Sequence, residues 1–266
     1  MSAKRKISTP SEFMNYLRVE CPRAALTDMP FFHNVAALRV SDIMQSGVLA
    51  PSKRKKSKNS VLYLFYGRPA FKPDSQEYYR GDALFQPISI ILKPNCPLTI
   101  KAIYPFDTGA YENGLYKNYI PTRDLPLNRF ALGNQHDISK QLVQLFFGSN
   151  KNYFQGNINH NNPDPYTYPA VAAFSNMIQA KGKIDFDDRA YTVEYQIISE
   201  IKLRGNIIGV AAEDSFFNNT DYRHKIENKW QRKCIPYNTL GLITSYGAHG
   251  IMHENIGSYL ETESYI

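Results

Sequence analysis

Apolar residues recur along this chain with two different periods, and the change between them marks out its elements. Residues 61–66 (VLYLFY) form an almost unbroken apolar and aromatic run, too short for a helix of ordinary length and suited to a buried strand. Strand-like runs return at residues 87–93 and 98–104, and again at 190–198 and 206–212. Helical spacing begins where Phe13 and Leu17 follow the start signal Thr9-Pro10-Ser11-Glu12, and Pro22 must end that helix. Residues 29–33 predict a short strand that closes on His33. From Asn34 the positions Val35, Leu38, Ile43 and Met44 suit an amphipathic helix, with Gly47 placed to end it. Asp137 caps a helix whose apolar face carries Ile138, Leu142, Val143, Leu145 and Phe146, and residues 169–179 predict another. Residues 221–230 and 247–260 give a mostly helical tail, whereas residues 106–134 show no period and predict an insertion with one short helix at most.

These elements predict an α+β fold: a split, mixed or antiparallel β core of roughly six to eight strands flanked by helices. One domain is expected over residues 1–266, with an insertion at about 105–185 and a helical tail from about 214. Hydrophobic residues make up 43% of the chain, which is enough to fill such a core and excludes general disorder. The formal charge of +7 favours an anionic partner, and much of the excess sits in Lys4-Arg5-Lys6 and Lys53-Arg54-Lys55-Lys56-Ser57-Lys58. A solvated lysine loop is the plain alternative. The cysteines Cys21, Cys96 and Cys234 lie far apart without a C-x-x-C pair, so neither a disulfide framework nor a zinc site is expected. With no apolar run near the ~20 residues of a membrane span, a cytoplasmic location is expected.

Three segments carry candidate chemistry. His33 closes an apolar stretch, Tyr63 and Tyr66 lie in the aromatic strand that runs into Gly67-Arg68-Pro69, and Glu194 is an isolated carboxylate in the strand Thr192-Val193-Glu194-Tyr195-Gln196. Each has an ordinary structural reading as strand cap, core filler or solvent-facing acid. By alternation, Glu194 shares a face with Thr192, Gln196 and Ile198. No G-x-S-x-G, Walker A or G-x-G-x-x-G motif occurs, which disfavours serine hydrolase, P-loop and Rossmann chemistry. His249 and His253 stand four apart, but Gly250 lies between them and H-E-x-x-H is absent, so no metal is expected.

The order histidine, tyrosine, glutamate on separate strands resembles the H-Y-E arrangement of ADP-ribosyltransferases of the diphtheria-toxin and poly-ADP-ribose-polymerase type. The run Leu62-Tyr63-Leu64-Phe65-Tyr66-Gly67-Arg68-Pro69 is similar to the F-Y-F-x-x-R-x-P run of DNA-targeting toxins of the DarT type, and the surroundings of Glu194 are similar to the glutamate strand and hairpin of those enzymes. The resemblance implies an NAD cleft between two half-sheets, with NAD as substrate and no metal. It implies His33, with the adjoining Asn34, on the nicotinamide ribose, and an aromatic ring on nicotinamide, with Tyr66 preferred and Tyr63 next. It further implies Arg68 on the pyrophosphate, and Glu194 as the catalytic carboxylate with Arg54 assisting. Lys53, Lys55, Lys56 and Lys58 would then gather the phosphates of a DNA or RNA acceptor. A toxin or phage-defence role and a neutralising antitoxin partner are what likeness to DarT-type proteins would imply. Val35 stands where many members carry a hydroxyl residue, and E-x-Q stands in place of the E-x-E or Q-x-E of arginine-specific transferases, which argues against arginine as acceptor. The competing expectations are a non-catalytic nucleic-acid- or nucleotide-binding module, an NAD glycohydrolase, and a structural or partner-binding protein in which the three residues lie apart.

Overall fold

The strands at the centre of the sheet form where apolar runs can be buried, and most helices form where a side chain or a glycine caps one end of the backbone ladder. The computed structural model describes residues 10–53, 60–71, 82–159, 161–180, 188–239 and 244–266. Its helices are α1 (Glu12–Glu20), α2 (Ser41–Ser46), α3 (Thr108–Glu112), α4 (Asp137–Phe147), α5 (Asn150–Gln155), α6 (Pro169–Gln179), α7 (Asp214–Phe217), α8 (Thr220–His224) and α9 (Ser245–Thr262). Its strands are β1 (Phe31–Ala36), β2 (Val48–Leu49), β3 (Ser52–Lys53), β4 (Ser60–Tyr66), β5 (Pro87–Leu92), β6 (Ile100–Tyr104), β7 (Glu194–Ile197), β8 (Ile201–Lys202), β9 (Ile207–Glu213) and β10 (Lys233–Tyr237). The Ser11 side chain caps α1 by accepting from Met14 N, and α1 buries Phe13, Tyr16 and Leu17 before stopping short of Pro22. Pro169 opens α6, where its missing N–H costs nothing.

Three expectations change. The helix expected from Asn34 is strand as far as Ala36, then a 3-10 turn and the six-residue α2. The cause is tertiary: Asn34, Val35 and Ala36 pair with Ser89, Ile88 and Pro87 of β5, and that ladder outweighs the local helical spacing. Leu38, expected on an apolar face, is correspondingly exposed. Asp137 does not cap α4 but is its first residue; His136 takes the capping position without a side-chain bond to it. The tail contains β10 as well as helix. The insertion holds α3 as its one helix over residues 106–134, apart from a 3-10 turn at Leu127–Phe130.

The main sheet runs β10-β9-β5-β1-β4-β7-β6, with β3 added beside β4, and β2 and β8 form a separate pair. Every neighbouring pair in the main sheet is antiparallel except β9 and β10, which are parallel. The fold is therefore α+β with a mixed, mostly antiparallel sheet. One irregularity decides where a site can form. β1 pairs with β5 at six positions from Phe31 to Ala36, but with β4 only at Phe31–Tyr66 and Phe32–Phe65. Beyond Phe32 the two strands part, and β3 takes the far end of β4 through Ser52–Val61 and Lys53–Ser60.

The closed end of this split is stapled. Tyr153, wholly buried on α5, donates its hydroxyl to Tyr66 O at 2.9 Å and accepts from Val193 N at 2.9 Å, joining the ends of β4 and β7. Gly67 follows with φ 74° and donates its N–H to Pro30 O at 2.8 Å. Among the described residues, no helix is long and apolar enough to cross a membrane.

A side chain at residue 67 has no room: a Cβ there would lie 2.7 Å from Met29 Sδ and 2.8 Å from Tyr153 Cε1. With left-handed strain added to the clash, Gly67→Ala should lower stability by roughly 2–5 kcal/mol. Urea unfolding of the two proteins measures this, and an unchanged midpoint would refute the packing described here.

Candidate active site

Side chains directly opposite one another in an antiparallel pair project to the same face. Tyr63 lies opposite Gln196, and Phe65 opposite Glu194; on the other side of β7, Tyr104 of β6 also lies opposite Glu194. Glu194 and Gln196 therefore form the floor of a patch walled by the half-buried rings of Tyr63, Phe65 and Tyr104. Alternation along β1 adds Asn34 to the same face. Its Nδ2 donates to Ala70 O at 2.7 Å, and its Oδ1 is buried without a hydrogen-bond partner.

Glu194 does not face solvent; its exposure is 0%. Three donors hold its carboxylate: Thr108 N at 3.0 Å, Thr108 Oγ1 at 2.7 Å and Gln196 Nε2 at 3.0 Å. Thr108 can supply two of them because it begins α3, whose capping residue Asp107 accepts from Ala110 N at 2.9 Å. Asp107 also pairs with Arg189 at 3.4 Å. Burial, and after it the negative charge of Asp107, push Glu194 up to about 7, against the smaller opposing pull of the three hydrogen bonds. Burial and then the Glu194 charge raise the Tyr104 hydroxyl as well.

His33 belongs by alternation with Phe31 and Val35, on the face of Tyr66 and opposite to that of Glu194, but its ring reaches the backbone edge of β4 across the gap between the parted strands. Nδ1 lies 3.0 Å from Tyr63 O, and because a carbonyl only accepts, Nδ1 carries the proton. Burial lowers the affinity of the ring for a second proton, so the imidazole is neutral and Nε2 is an acceptor.

Two preferred cofactor residues are not brought to this patch. Tyr66 is on the opposite face of β4, fully buried, stacked on Tyr195 at 6.1 Å between ring centroids, and its hydroxyl accepts from Met29 N at 3.2 Å. The two-residue period of the strand gives the half-buried aromatic position facing Glu194 to Tyr63 instead. Arg68 is 3% exposed and braces the staple: it donates to Tyr153 O at 3.2 Å, pairs with Asp188 at 3.4 Å and lies 4.3 Å from the centre of the Tyr191 ring. A guanidinium so engaged does not reach a pyrophosphate.

Lys53 is exposed at the end of β3, beside the open part of β4. Arg54, Lys55, Lys56 and Lys58 lie outside the described residues. His249 sits 3.5 Å from Asp188 and His253 stacks on Phe154; among the described residues no group of three or more His, Cys, Asp or Glu is arranged to hold a metal. Two cavities lie away from the patch, one of about 260 Å³ lined by Val40, Leu84, Phe216 and Tyr222, the other of about 530 Å³ beside Arg18, Arg23 and Lys140.

No family model, curated protein or solved structure matches this chain.

Tyr104, Asp107 and Thr108 were not among the candidates from sequence. Asp107-Thr108 is a helix-start signal, and Tyr104 ends a strand run, so both cues were present; nothing local tied them to a glutamate that lies 86 residues beyond Thr108.

The raised folded-state pKa of Glu194 fixes a sign. Above the ordinary carboxylate range the folded protein holds a proton that the unfolded chain releases, so wild-type stability falls as pH rises from about 4.5 to about 7. Glu194→Gln should escape that fall and gain on wild type by up to about 3 kcal/mol across the interval, levelling off above it. Thermal unfolding of both proteins from pH 4 to 9 measures the difference. A constant gap at every pH would refute the raised value.

Proposed function

We propose that this protein cleaves NAD and transfers ADP-ribose to a macromolecule, with nucleic acid the acceptor that the basic segment beginning at Lys53 suits best, on an ADP-ribosyltransferase-like fold. The observation that carries this reading is the adjacency of β1, β4 and β7: they bear His33, Tyr63 and Glu194 and are consecutive in the sheet. The outer two strands lie two strand spacings, about 10 Å, apart in the sheet. The sheet opens between the first two of these strands, which supports a cleft at that point.

The chemistry of each group fits one requirement of the reaction. His33 Nε2 accepts from a ribose hydroxyl, and Tyr63 offers a flat face for nicotinamide. The bond between nicotinamide nitrogen and the anomeric carbon breaks with its electron pair going to the leaving nicotinamide. The sugar is left as an oxocarbenium-like cation, and a nucleophilic atom of the acceptor then bonds to that carbon and loses its proton. Glu194, ionised by the approach of the cationic substrate, stabilises the developing positive charge. Because Glu194 has no exposure, NAD reaches it only when the half-buried rings above it part.

Incubation with nicotinamide-labelled and adenylate-labelled NAD, with DNA, RNA or protein added, tests the reading. Wild type should release nicotinamide and label a polymer; Glu194→Gln should lower kcat by about 10²–10³-fold. Tyr63→Ala should raise KM, while Tyr66→Phe should leave both constants near wild type because that ring belongs to the core. Nicotinamide release with no labelled polymer would mean that water is the acceptor, as in a glycohydrolase. Binding without release would leave a non-catalytic module, and equal release by Glu194→Gln would remove Glu194 from the mechanism.

A further inference from the structure

Glu194 is surrounded by groups that oppose one another. From α3 come the Asp107 carboxylate and both donors of Thr108; from β7 comes the Gln196 amide; from β6 comes the Tyr104 ring; from β4 comes Phe65. Arg189 stands behind Asp107 as its cationic partner.

The direction of the hydrogen bonds around Thr108 is constrained. Gln196 Nε2 approaches both Glu194 Oε1, at 3.0 Å, and Thr108 Oγ1, at 3.3 Å. An amide nitrogen only donates, so Thr108 Oγ1 accepts from Gln196 and is free to donate its own proton to Glu194. In that arrangement every donor points at the carboxylate, and the ring of bonds closes only when Glu194 is ionised. A protonated Glu194 would bring a second hydrogen into the 2.7 Å contact with Thr108, and the hydroxyl would have to turn away in a site where Thr108 is 2% exposed.

We infer that Thr108 is a positioning residue that sets the pH at which Glu194 becomes ionised, and that Asp107, its neighbour in the chain, acts in the opposite sense. Two adjacent residues at the start of a five-residue helix thus hold the carboxyl between its two forms. The functional meaning rests on the reading given under Proposed function: a neutral Glu194 cannot stabilise an oxocarbenium-like cation, so this balance would govern the pH range of activity. The effect on ionisation itself does not rest on that reading.

Carbon-13 NMR of side-chain carboxyl-labelled glutamate, titrated from pH 4 to 9, follows Glu194 directly, with the signal assigned by its loss in Glu194→Gln. Thr108→Val keeps the volume and the backbone donor but removes the hydroxyl, and should move the midpoint up by about one pH unit. Asp107→Asn keeps a capping oxygen but removes the charge, and should move it down by about one unit. Thr108→Ser, which retains the hydroxyl, should titrate as wild type. If Thr108→Val does not fold, Thr108→Ala, which also removes the hydroxyl and keeps the backbone donor, should show the same upward shift, and its absence overturns the inference. A wild-type midpoint in a folded Thr108→Val, or an upward shift in Asp107→Asn, overturns the inference. The pH profile of nicotinamide release should move with the NMR midpoint in each variant. Opposite NMR shifts without nicotinamide release from any protein would uphold the control of ionisation while overturning the proposed reaction.

Discussion

The architecture turns on a ladder that stops after two rungs. β1 and β4 are held together at Phe31–Tyr66 and Phe32–Phe65, and the backbone beyond them is shared out differently, with β1 committed to β5 and the start of β4 to β3. A continuous sheet would bury this region under uniform packing. An interrupted one leaves edges to satisfy, and His33 meets part of that demand by donating to Tyr63 O across the gap. The same bond fixes the tautomer of the ring, so a structural requirement and a chemical property come from one contact.

A split can persist only if its closed end is rigid. Tyr153, Arg68, Asp188 and Tyr191 provide that rigidity through hydroxyl bridges, an ion pair and a cation over an aromatic face, all close to the point where β4 and β7 end. On the other side of β7, the short segment around Asp107 and Thr108 does comparable work for Glu194. A buried carboxyl with a second acid nearby is unfavourable in ionised form, and it is kept within reach of neutral pH because Thr108 and Gln196 supply three hydrogen bonds to it. Strong local opposition of this kind is common where chemistry is performed and uncommon in a core built only for stability.

Much of the fold was legible from periodicity. α1, α6, β4, β5 and β9 lie within one or two residues of the positions that hydrophobic spacing gave them, because each buries a strong run bounded by a clear start or stop. The segment after His33 was misleading, since Val35 and Ala36 suit either period and only the presence of β5 alongside decides between them. β10 was missed because Lys233, Cys234, Ile235, Pro236 and Tyr237 make a weak strand that gains its place by pairing with β9. At the site, the types of residue were legible and their directions were not. Tyr63 and Tyr66 both look apt for stacking, and which one faces Glu194 depends on the register between β4 and β7. Thr108 was beyond local inspection altogether, because its role exists only once β6 has brought α3 against β7.

Each outer margin of the sheet has a backbone position that has already found a partner. Along β6, the amide of Ile103 donates to Gly133 O and its carbonyl accepts from Leu132 N, so the inserted segment occupies the place of a further strand. On β10, Pro236 has no N–H to offer, and its carbonyl accepts from Asn255 of α9 at 2.7 Å. At these two positions a second molecule finds the outward backbone groups already engaged, which opposes extension of the array there. The insertion and the terminal helix thus help to keep a sheet that is open in its middle from becoming sticky at its rims.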